Sequence, residues 1–152
     1  MVLLKLVIIG GGIGGLTLAR ACLDRGLEVE VYEKRSLPEM LSGPGGIFIQ
    51  RNAMHVYKLL WDRQISDRLY QQGGIIREGG FFSKTGELLY FNSPQFVQAD
   101  DLGVCLLRPE LQQILYESLP AGTVKTGHAF KDFEESSNTI QAFFENGSKT
   151  QG

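Results

Sequence analysis

The sequence predicts an α/β fold built on a parallel β-sheet, and three consecutive segments at its start carry this prediction. Residues 3–9 (LLKLVII) form a nearly continuous aliphatic run, which is typical of a parallel strand covered on both faces. Residues 16–23 show a helical apolar pattern, and Gly26 offers a left-handed stop. β character resumes over residues 28–32. This order predicts a right-handed βαβ crossover with the first strand in the centre of the sheet.

The remainder of the chain alternates short predicted helices and strands. The Ser, Pro and Gly content of residues 36–46 predicts a long loop. Apolar residues at helical spacing, and Pro109 at a favoured first helical position, predict helices over residues 52–60, 65–70 and 109–119. Strands are predicted over residues 47–49, 104–107, 123–125, 130–134 and 140–144, with a β-hairpin over 79–91 and a hairpin turn at Asn146-Gly147.

Composition limits the classes of partner. The chain has 152 residues, a formal net charge of −2 and a pI near 5.7, so no sustained basic field is available for nucleic acid or an anionic membrane. No apolar run approaches the roughly 20 residues of a membrane-spanning helix. Cys22 and Cys105 lack the spacing of a disulfide framework or a zinc site, which favours a cytoplasmic location. The oligomeric state is not indicated.

A glycine motif lies where the first strand meets the first helix. Gly10, Gly12 and Gly15 spell G-x-G-x-x-G. In this motif the first glycine permits a tight turn, the second lets the backbone approach a pyrophosphate, and the third allows close packing of helix on strand. The helix N-terminus adds unpaired N–H groups and the positive end of its dipole. The loop is therefore predicted to bind phosphates without a basic side chain.

Glu33 completes this motif at the end of the second predicted strand. A carboxylate at this spacing can accept hydrogen bonds from a ribose. It would also repel a ribose 2′-phosphate, which makes NADP a poor candidate for this pocket. Together the residues predict a Rossmann-like domain that binds the ADP half of a dinucleotide. The motif itself does not distinguish FAD from NAD.

Four segments carry a resemblance that favours FAD: GGGIGGLTLAR, VYEKR, GPGGIFIQRNAMHVYKLL and LRPELQQIL. In order and spacing they resemble the flavoprotein monooxygenases typified by para-hydroxybenzoate hydroxylase and zeaxanthin epoxidase, and the similarity covers essentially the whole chain. The resemblance implies a Rossmann-like FAD-binding domain with an inserted β-hairpin from a substrate-side sheet. Residues 1–75 and 104–152 would form the FAD-binding part, and residues 76–103 the inserted segment.

The resemblance also implies a set of cofactor-binding residues and no catalytic side chain. His55 and His128 have no second ligand at metal-binding spacing, so no metal site is predicted. Gly10, Gly12, Gly15 and Glu33 would hold the ADP part of FAD, and Arg35 would lie near the adenosine. Arg108 would reach the diphosphate or ribityl chain, although from its position alone a surface pair with Glu110 is the simpler expectation. The 43–50 loop and Arg51 would lie near the flavin. Three further residues inside the matching segments complete the predicted set: Gly14, Lys34 and Gly46.

The implied activity is oxidation of NADH or NADPH with O₂ to hydroxylate or epoxidise a small aromatic or isoprenoid-like substrate. The sequence ends at FFENGSKTQG, before two later flavin-contacting motifs of the resembled family, Gly-Ala-Asp-Gly and Gly-Asp. We therefore expect an N-terminal portion of such an enzyme. Two alternatives stay open: a truncated, non-catalytic FAD- or ADP-binding module, and an NAD-dependent dehydrogenase.

An aromatic cluster in the predicted hairpin has two interpretations, the lining of an apolar substrate pocket and ordinary sheet packing. It comprises Phe81, Phe82, Tyr90, Phe91 and Phe96. Aromatic residues in a hairpin are more often sheet-packing residues, so packing is the favoured expectation.

Overall fold

The computed structural model describes residues 4–77, 79–92 and 102–152. Its contacts divide the chain into two compact units, one of Met1–Pro44 with Arg108–Gly152 and one of Gly45–Leu107. The sequence-based division, residues 1–75 and 104–152 against 76–103, concerns which segments serve the cofactor, and contacts do not test it. It stays a prediction.

The elements of the described residues follow each other in short alternation. The strands are β1 (Lys5–Ile9), β2 (Glu28–Tyr32), β3 (Gly46–Ile49), β4 (Gly74–Ile76), β5 (Gly79–Phe82), β6 (Leu88–Asn92), β7 (Gly103–Leu107), β8 (Val124–Lys125), β9 (Phe130–Glu135), β10 (Ile140–Phe144) and β11 (Lys149–Gln151). The helices are α1 (Ile13–Leu23), α2 (Leu37–Met40), α3 (Arg51–Leu59), α4 (Gln64–Gln72) and α5 (Arg108–Glu117), with a 3₁₀ turn at Trp61–Arg63. Among these helices none is long and apolar enough to cross a membrane.

The first unit contains the predicted parallel sheet, in the order β1-β2-β8. β1 pairs with β2 from Lys5↔Glu28 to Ile9↔Tyr32, and β2 pairs with β8 at Val31↔Val124. The expectation of a central β1 is wrong for the described residues, because β2 is the middle strand. Consistent with an edge position, Leu4 and Ile9 are 61% and 46% exposed. An aliphatic run indicates apolar neighbours but does not reveal on which sides a strand is hydrogen-bonded.

Layers of different kinds cover the parallel sheet. α1 packs on β2, and α5 packs on α1. The side chains of β2 alternate between faces, so Val29 and Val31 lie on the face opposite Tyr32. Tyr32 packs with Ala142 and Phe144 of β10, and its ring stacks on the Phe144 ring at 4.4 Å. The parallel sheet is thus sandwiched between helices and the antiparallel β9-β10-β11 sheet.

Most of the predicted elements of the first unit are confirmed. The β10–β11 hairpin turns at Asn146-Gly147, where Gly147 has a φ of 83°. The 36–46 segment differs from the predicted unbroken loop, because it contains α2. This helix begins with a capping box: the Ser36 N–H and hydroxyl donate to Oε2 of Glu39 at 2.8 and 2.6 Å. The spacing Ser-x-x-Glu was the sequence signal for this helix.

The second unit consists of an antiparallel sheet in the order β3-β7-β4, two helices and the predicted hairpin β5–β6. The predicted helices over 52–60 and 65–70 correspond to α3 and α4, whereas β4 was not foreseen. The expectation of packed aromatic residues is wrong for those that the structure describes, since their exposed fractions are large: Phe81 71%, Phe82 61%, Tyr90 59% and Phe91 46%. Phe96 lies outside the described residues.

Candidate dinucleotide-binding site

Residues 10–12, the glycine loop, join β1 to α1, and the structure requires glycine at Gly10 in this loop and at Gly15 in α1. Gly10 has a φ of 106°, and its N–H donates to the carbonyl of Tyr32 at 2.8 Å. A Cβ on Gly15 would lie 2.0 Å from the carbonyl oxygen of Gly10. Gly10 therefore supplies the tight turn and Gly15 the close packing that the motif requires at these positions.

The Glu33 carboxylate fixes the middle of this loop. Its Oε2 accepts the Gly11 N–H at 2.8 Å and Nη2 of Arg35 at 3.3 Å. Its Oε1 accepts the backbone N–H and the Nε of Arg35, both at 2.9 Å. The Glu33 residue is only 4% exposed. The carboxylate thus ties the end of β2 to the loop that precedes α1.

Opposing effects set the pKa of Glu33. Burial raises it, but hydrogen bonds from the Arg35 side chain and from the backbone of Arg35 and Gly11 outweigh burial and hold the pKa at about 2. The hydrogen bonds to Glu33 in turn raise the pKa of Arg35. At neutral pH the pair is therefore a carboxylate and a guanidinium in direct contact.

Gln112 is a further anchor that sequence reasoning missed. It is fully buried in α5, and its Nε2 donates to the carbonyl of Gly11 at 2.9 Å. Its Oε1 is buried without a hydrogen-bond partner among the described residues. The sequence signal for this anchor was a glutamine next to Leu111 on the apolar side of α5, because a buried polar side chain is usually hydrogen-bonded.

The N-terminus of α1 fits a bound phosphate group. The helix begins after Gly12 with no side-chain cap and no acidic residue in its first turn. Its first N–H groups have no partner within the helix, and the dipole places positive charge there. A Cβ built on Gly12 or Gly14 would meet no atom within 4 Å, so the space beside the loop is open. Anchored glycines and free helix N–H groups suit a pyrophosphate.

A pocket of about 470 Å³ adjoins the loop at the carboxyl ends of β1 and β2. Gly10, Glu33, Lys34, His128 and Glu145 contribute to its wall. Ligands of open α/β sheets bind in crevices at this end of the strands. A larger, mostly apolar cavity of about 580 Å³ runs along β1, β9 and β10. Of these two, the smaller pocket borders the glycine loop.

The other predicted site residues are less closely tied to this loop. Lys34 is exposed beside Glu33. Arg108 is half-buried at the start of α5, and because it lies four residues before Gln112 it shares the helix face that meets the glycine loop. Gly46 begins β3 and Arg51 begins α3, both in the second unit. Contacts of all these residues with a cofactor stay predictions.

The chain is similar to known proteins in both sequence and fold. Residues 8–46 match the family described as an NAD(P)-binding Rossmann-like domain. The chain is 28% identical to a zeaxanthin epoxidase of Oryza sativa over 97% of its own length and 24% of that protein. It superimposes with a TM-score of 0.76 on a putative FAD-containing monooxygenase of Photorhabdus luminescens, at 25% identity over 97% of this chain and 37% of that one. CtdE, solved with FAD and a substrate, gives a TM-score of 0.78 at 26% identity, over 97% and 35% of the two chains.

The fold and the glycine loop define a dinucleotide-binding domain of the Rossmann type. In sequence and fold the chain is similar to the N-terminal part of FAD-dependent monooxygenases. It spans 24% of the length of the epoxidase and 37% of the Photorhabdus protein.

Proposed function

We propose that the chain binds the ADP half of FAD at the glycine loop, and that it serves a flavoprotein monooxygenase. That enzyme would use NADH or NADPH and O₂ to hydroxylate or epoxidise a small aromatic or isoprenoid-like molecule. The observation that carries the proposal is the glycine loop itself. The space beside Gly12 is open, and Gly11 is hydrogen-bonded to Glu33 and Gln112. FAD, when bound, supplies the redox chemistry.

The side chains of this chain bind and orient rather than react. The glycine loop and the first turn of α1 would hold the pyrophosphate, and Glu33 would face the ribose. Arg35 and Lys34 would border the adenosine, and Arg108 would reach the diphosphate or the ribityl chain. Gly46 and Arg51 of the second unit would lie near the flavin.

For residues 1–152 alone we propose binding without turnover. This part corresponds to 37% of the Photorhabdus relative, so it matches only part of the protein that surrounds a flavin there. Turnover requires a reacting ring that is held in position and shielded from water. We also propose a cytoplasmic location, in keeping with the two unpaired cysteines.

The proposal is tested by titrating the purified chain with FAD and following the visible flavin spectrum and the heat of binding. Gly12→Ala places a methyl group where the pyrophosphate would lie, in space that is open in the protein. We expect it to fold normally and to bind FAD at least about tenfold more weakly, a loss of about 1.4 kcal/mol. Arg25→Ala, an exposed change on the turn after α1, is the matched control and should bind as wild type does.

The alternatives give different results in the same preparation. FAD binding without NADH oxidation or O₂ uptake supports the binding module, whereas turnover by the chain alone would overturn that assignment. Tighter binding of NAD⁺ than of FAD would favour a dehydrogenase. Equal FAD binding by wild type and Gly12→Ala would contradict the proposed site.

A further inference from the structure

The acceptor capacity of Glu33 is already filled by the protein. An ionised carboxylate offers about four lone-pair positions. Four N–H groups donate to Glu33: the backbone N–H of Gly11, the backbone N–H of Arg35, and the Nε and Nη2 of Arg35. A ribose hydroxyl therefore finds no unused lone pair on this carboxylate.

The four N–H donors differ in whether they can move away from the Glu33 carboxylate. The N–H groups of Gly11 and Arg35 are fixed by the path of the backbone. The guanidinium of Arg35 is at the end of a flexible side chain that is 33% exposed, whereas the side chain of Glu33 is 5% exposed. The guanidinium thus covers the carboxylate towards solvent, where a ligand would approach.

We propose that Arg35 occupies the place of the ribose hydroxyls on Glu33 in the nucleotide-free protein and leaves the carboxylate when the ADP moiety binds. This inference rests on the proposed function and adds an affinity-setting residue to it. Part of the energy of ribose binding is used to break the ion pair, so the apparent affinity is lower than the contacts of the nucleotide alone would give.

A second carboxylate is available to the released guanidinium. Glu39 is exposed on α2. Its negative charge, like that of Glu33, raises the pKa of Arg35 and so favours the charged guanidinium. Arg35 can therefore turn outwards without losing all of its anionic surroundings, and this lowers the free energy of the exchange.

The test compares ADP with 2′,3′-dideoxy-ADP, which lacks both ribose hydroxyls, by titration calorimetry. Wild type should gain little from the hydroxyls, less than about threefold in affinity, because they replace the ion pair. Arg35→Met removes the guanidinium and leaves two acceptor positions empty. It should bind ADP about tenfold more tightly than wild type does, while its affinity for dideoxy-ADP stays within about twofold of the wild-type value.

Two further variants complete the design. Arg35→Lys keeps the charge with fewer directed donors and should tighten ADP binding by an intermediate factor, which keeps the test decisive if Arg35→Met is unstable. Arg25→Met, an arginine lost from an exposed site, should leave both affinities unchanged.

The outcomes separate this inference from the function on which it rests. If wild type and variants bind ADP, but Arg35→Met has the same ratio of ADP to dideoxy-ADP affinity as wild type, or binds ADP more weakly, the displacement of Arg35 is overturned and the nucleotide site stands. If none of them binds ADP or FAD, the proposed function fails and this inference fails with it.

Discussion

The backbone N–H of Gly11 donates a 2.8 Å hydrogen bond to Oε2 of Glu33, and this bond joins the loop between β1 and α1 to the residue that follows β2. Gly11 lies in the loop after β1, and Glu33 directly follows β2. The carboxylate therefore helps to shape the glycine loop as well as bordering the pocket. A substitution at Glu33 should consequently affect stability and nucleotide binding together.

We expect acid to remove a measurable part of the stability through Glu33. Its pKa is lowered from an ordinary value of 4.5 to about 2 in the folded protein, so its contribution is complete above pH 4.5 and is lost as the pH falls towards 2. Glu30 behaves alike, with a pKa of about 2: burial raises it, and hydrogen bonds from Lys125, Lys5, Tyr32 and Thr150 outweigh burial.

Urea unfolding at a series of pH values measures this contribution. Glu33→Gln should lose about 2 kcal/mol at neutral pH, because it breaks charge-assisted hydrogen bonds to a buried group. Its free energy of unfolding should then fall less steeply between pH 4.5 and 2 than that of wild type. Glu30→Gln should likewise reduce the pH dependence of the free energy of unfolding between pH 4.5 and 2. The same pH dependence in wild type and both variants would contradict this linkage.

The close approach of helix and strand at Gly15 predicts a large effect of one methyl group. Gly15→Ala would place its Cβ 2.0 Å from the Gly10 carbonyl oxygen, so the backbone must shift, and we expect a loss of about 2–3 kcal/mol in urea unfolding. Gly14→Ala is the matched control, since its Cβ meets nothing within 4 Å. It should be as stable as wild type or slightly more stable, because alanine favours helix. Equal stability of the two variants would disprove the close contact.

The Gln112 amide is expected to stabilise the loop from α5. Gln112→Met keeps the side-chain length but leaves the Gly11 carbonyl without this donor. We expect a loss of about 1 kcal/mol in stability, since removal of the orphaned Oε1 offsets part of the cost. Gln113→Met changes the neighbouring, less buried glutamine and serves as control. A Gln112→Met protein as stable as Gln113→Met would show that the bond contributes nothing.

Backbone strain between α3 and α4 predicts a stabilising substitution. Trp61, Asp62 and Arg63 all have positive φ, at 49°, 50° and 66°. Arg63 also precedes the first residue of α4, where glycine is a favourable cap. Arg63→Gly should therefore raise the midpoint of thermal unfolding by relieving about 1 kcal/mol of strain. Gln64→Gly, one residue later at a helical φ of −58°, should lower the midpoint of thermal unfolding. A lower midpoint for Arg63→Gly than for Gln64→Gly would exclude the left-handed turn.

Local pattern was sufficient for the βαβ unit and its glycine positions. The aliphatic run, the apolar helical face and the G-x-G-x-x-G spacing each constrain the same short segment, so they agree on one structure. The partners of Glu33 were beyond such reasoning. Gln112 reaches the loop from 101 residues away, and the Arg35 side chain folds back because of the turn after β2, which no periodicity encodes.

Two errors in the predicted fold have the same physical origin. The aliphatic run of β1 predicts cover on both faces, and the aromatic residues of the β5–β6 hairpin predict packing, yet Ile9 and Phe81 are exposed in the described structure. The apolar character of a side chain indicates that it favours apolar neighbours, but it does not indicate which segment of the protein provides those neighbours. The failure to predict helix α2 has another cause, because the sequence does contain its capping box, Ser36 and Glu39.

Nucleotide selectivity tests the central claim most directly, because we propose that the glycine loop, Glu33 and the adjoining pocket bind the ADP half of the cofactor. FMN carries the flavin ring and one phosphate but lacks the adenosine and the second phosphate, and ADP carries the whole ADP half without the ring. We predict that ADP competes with FAD in calorimetric titration of the wild-type chain, while FMN neither binds nor competes. Binding of FMN as tight as that of FAD, with no competition by ADP, would contradict the account.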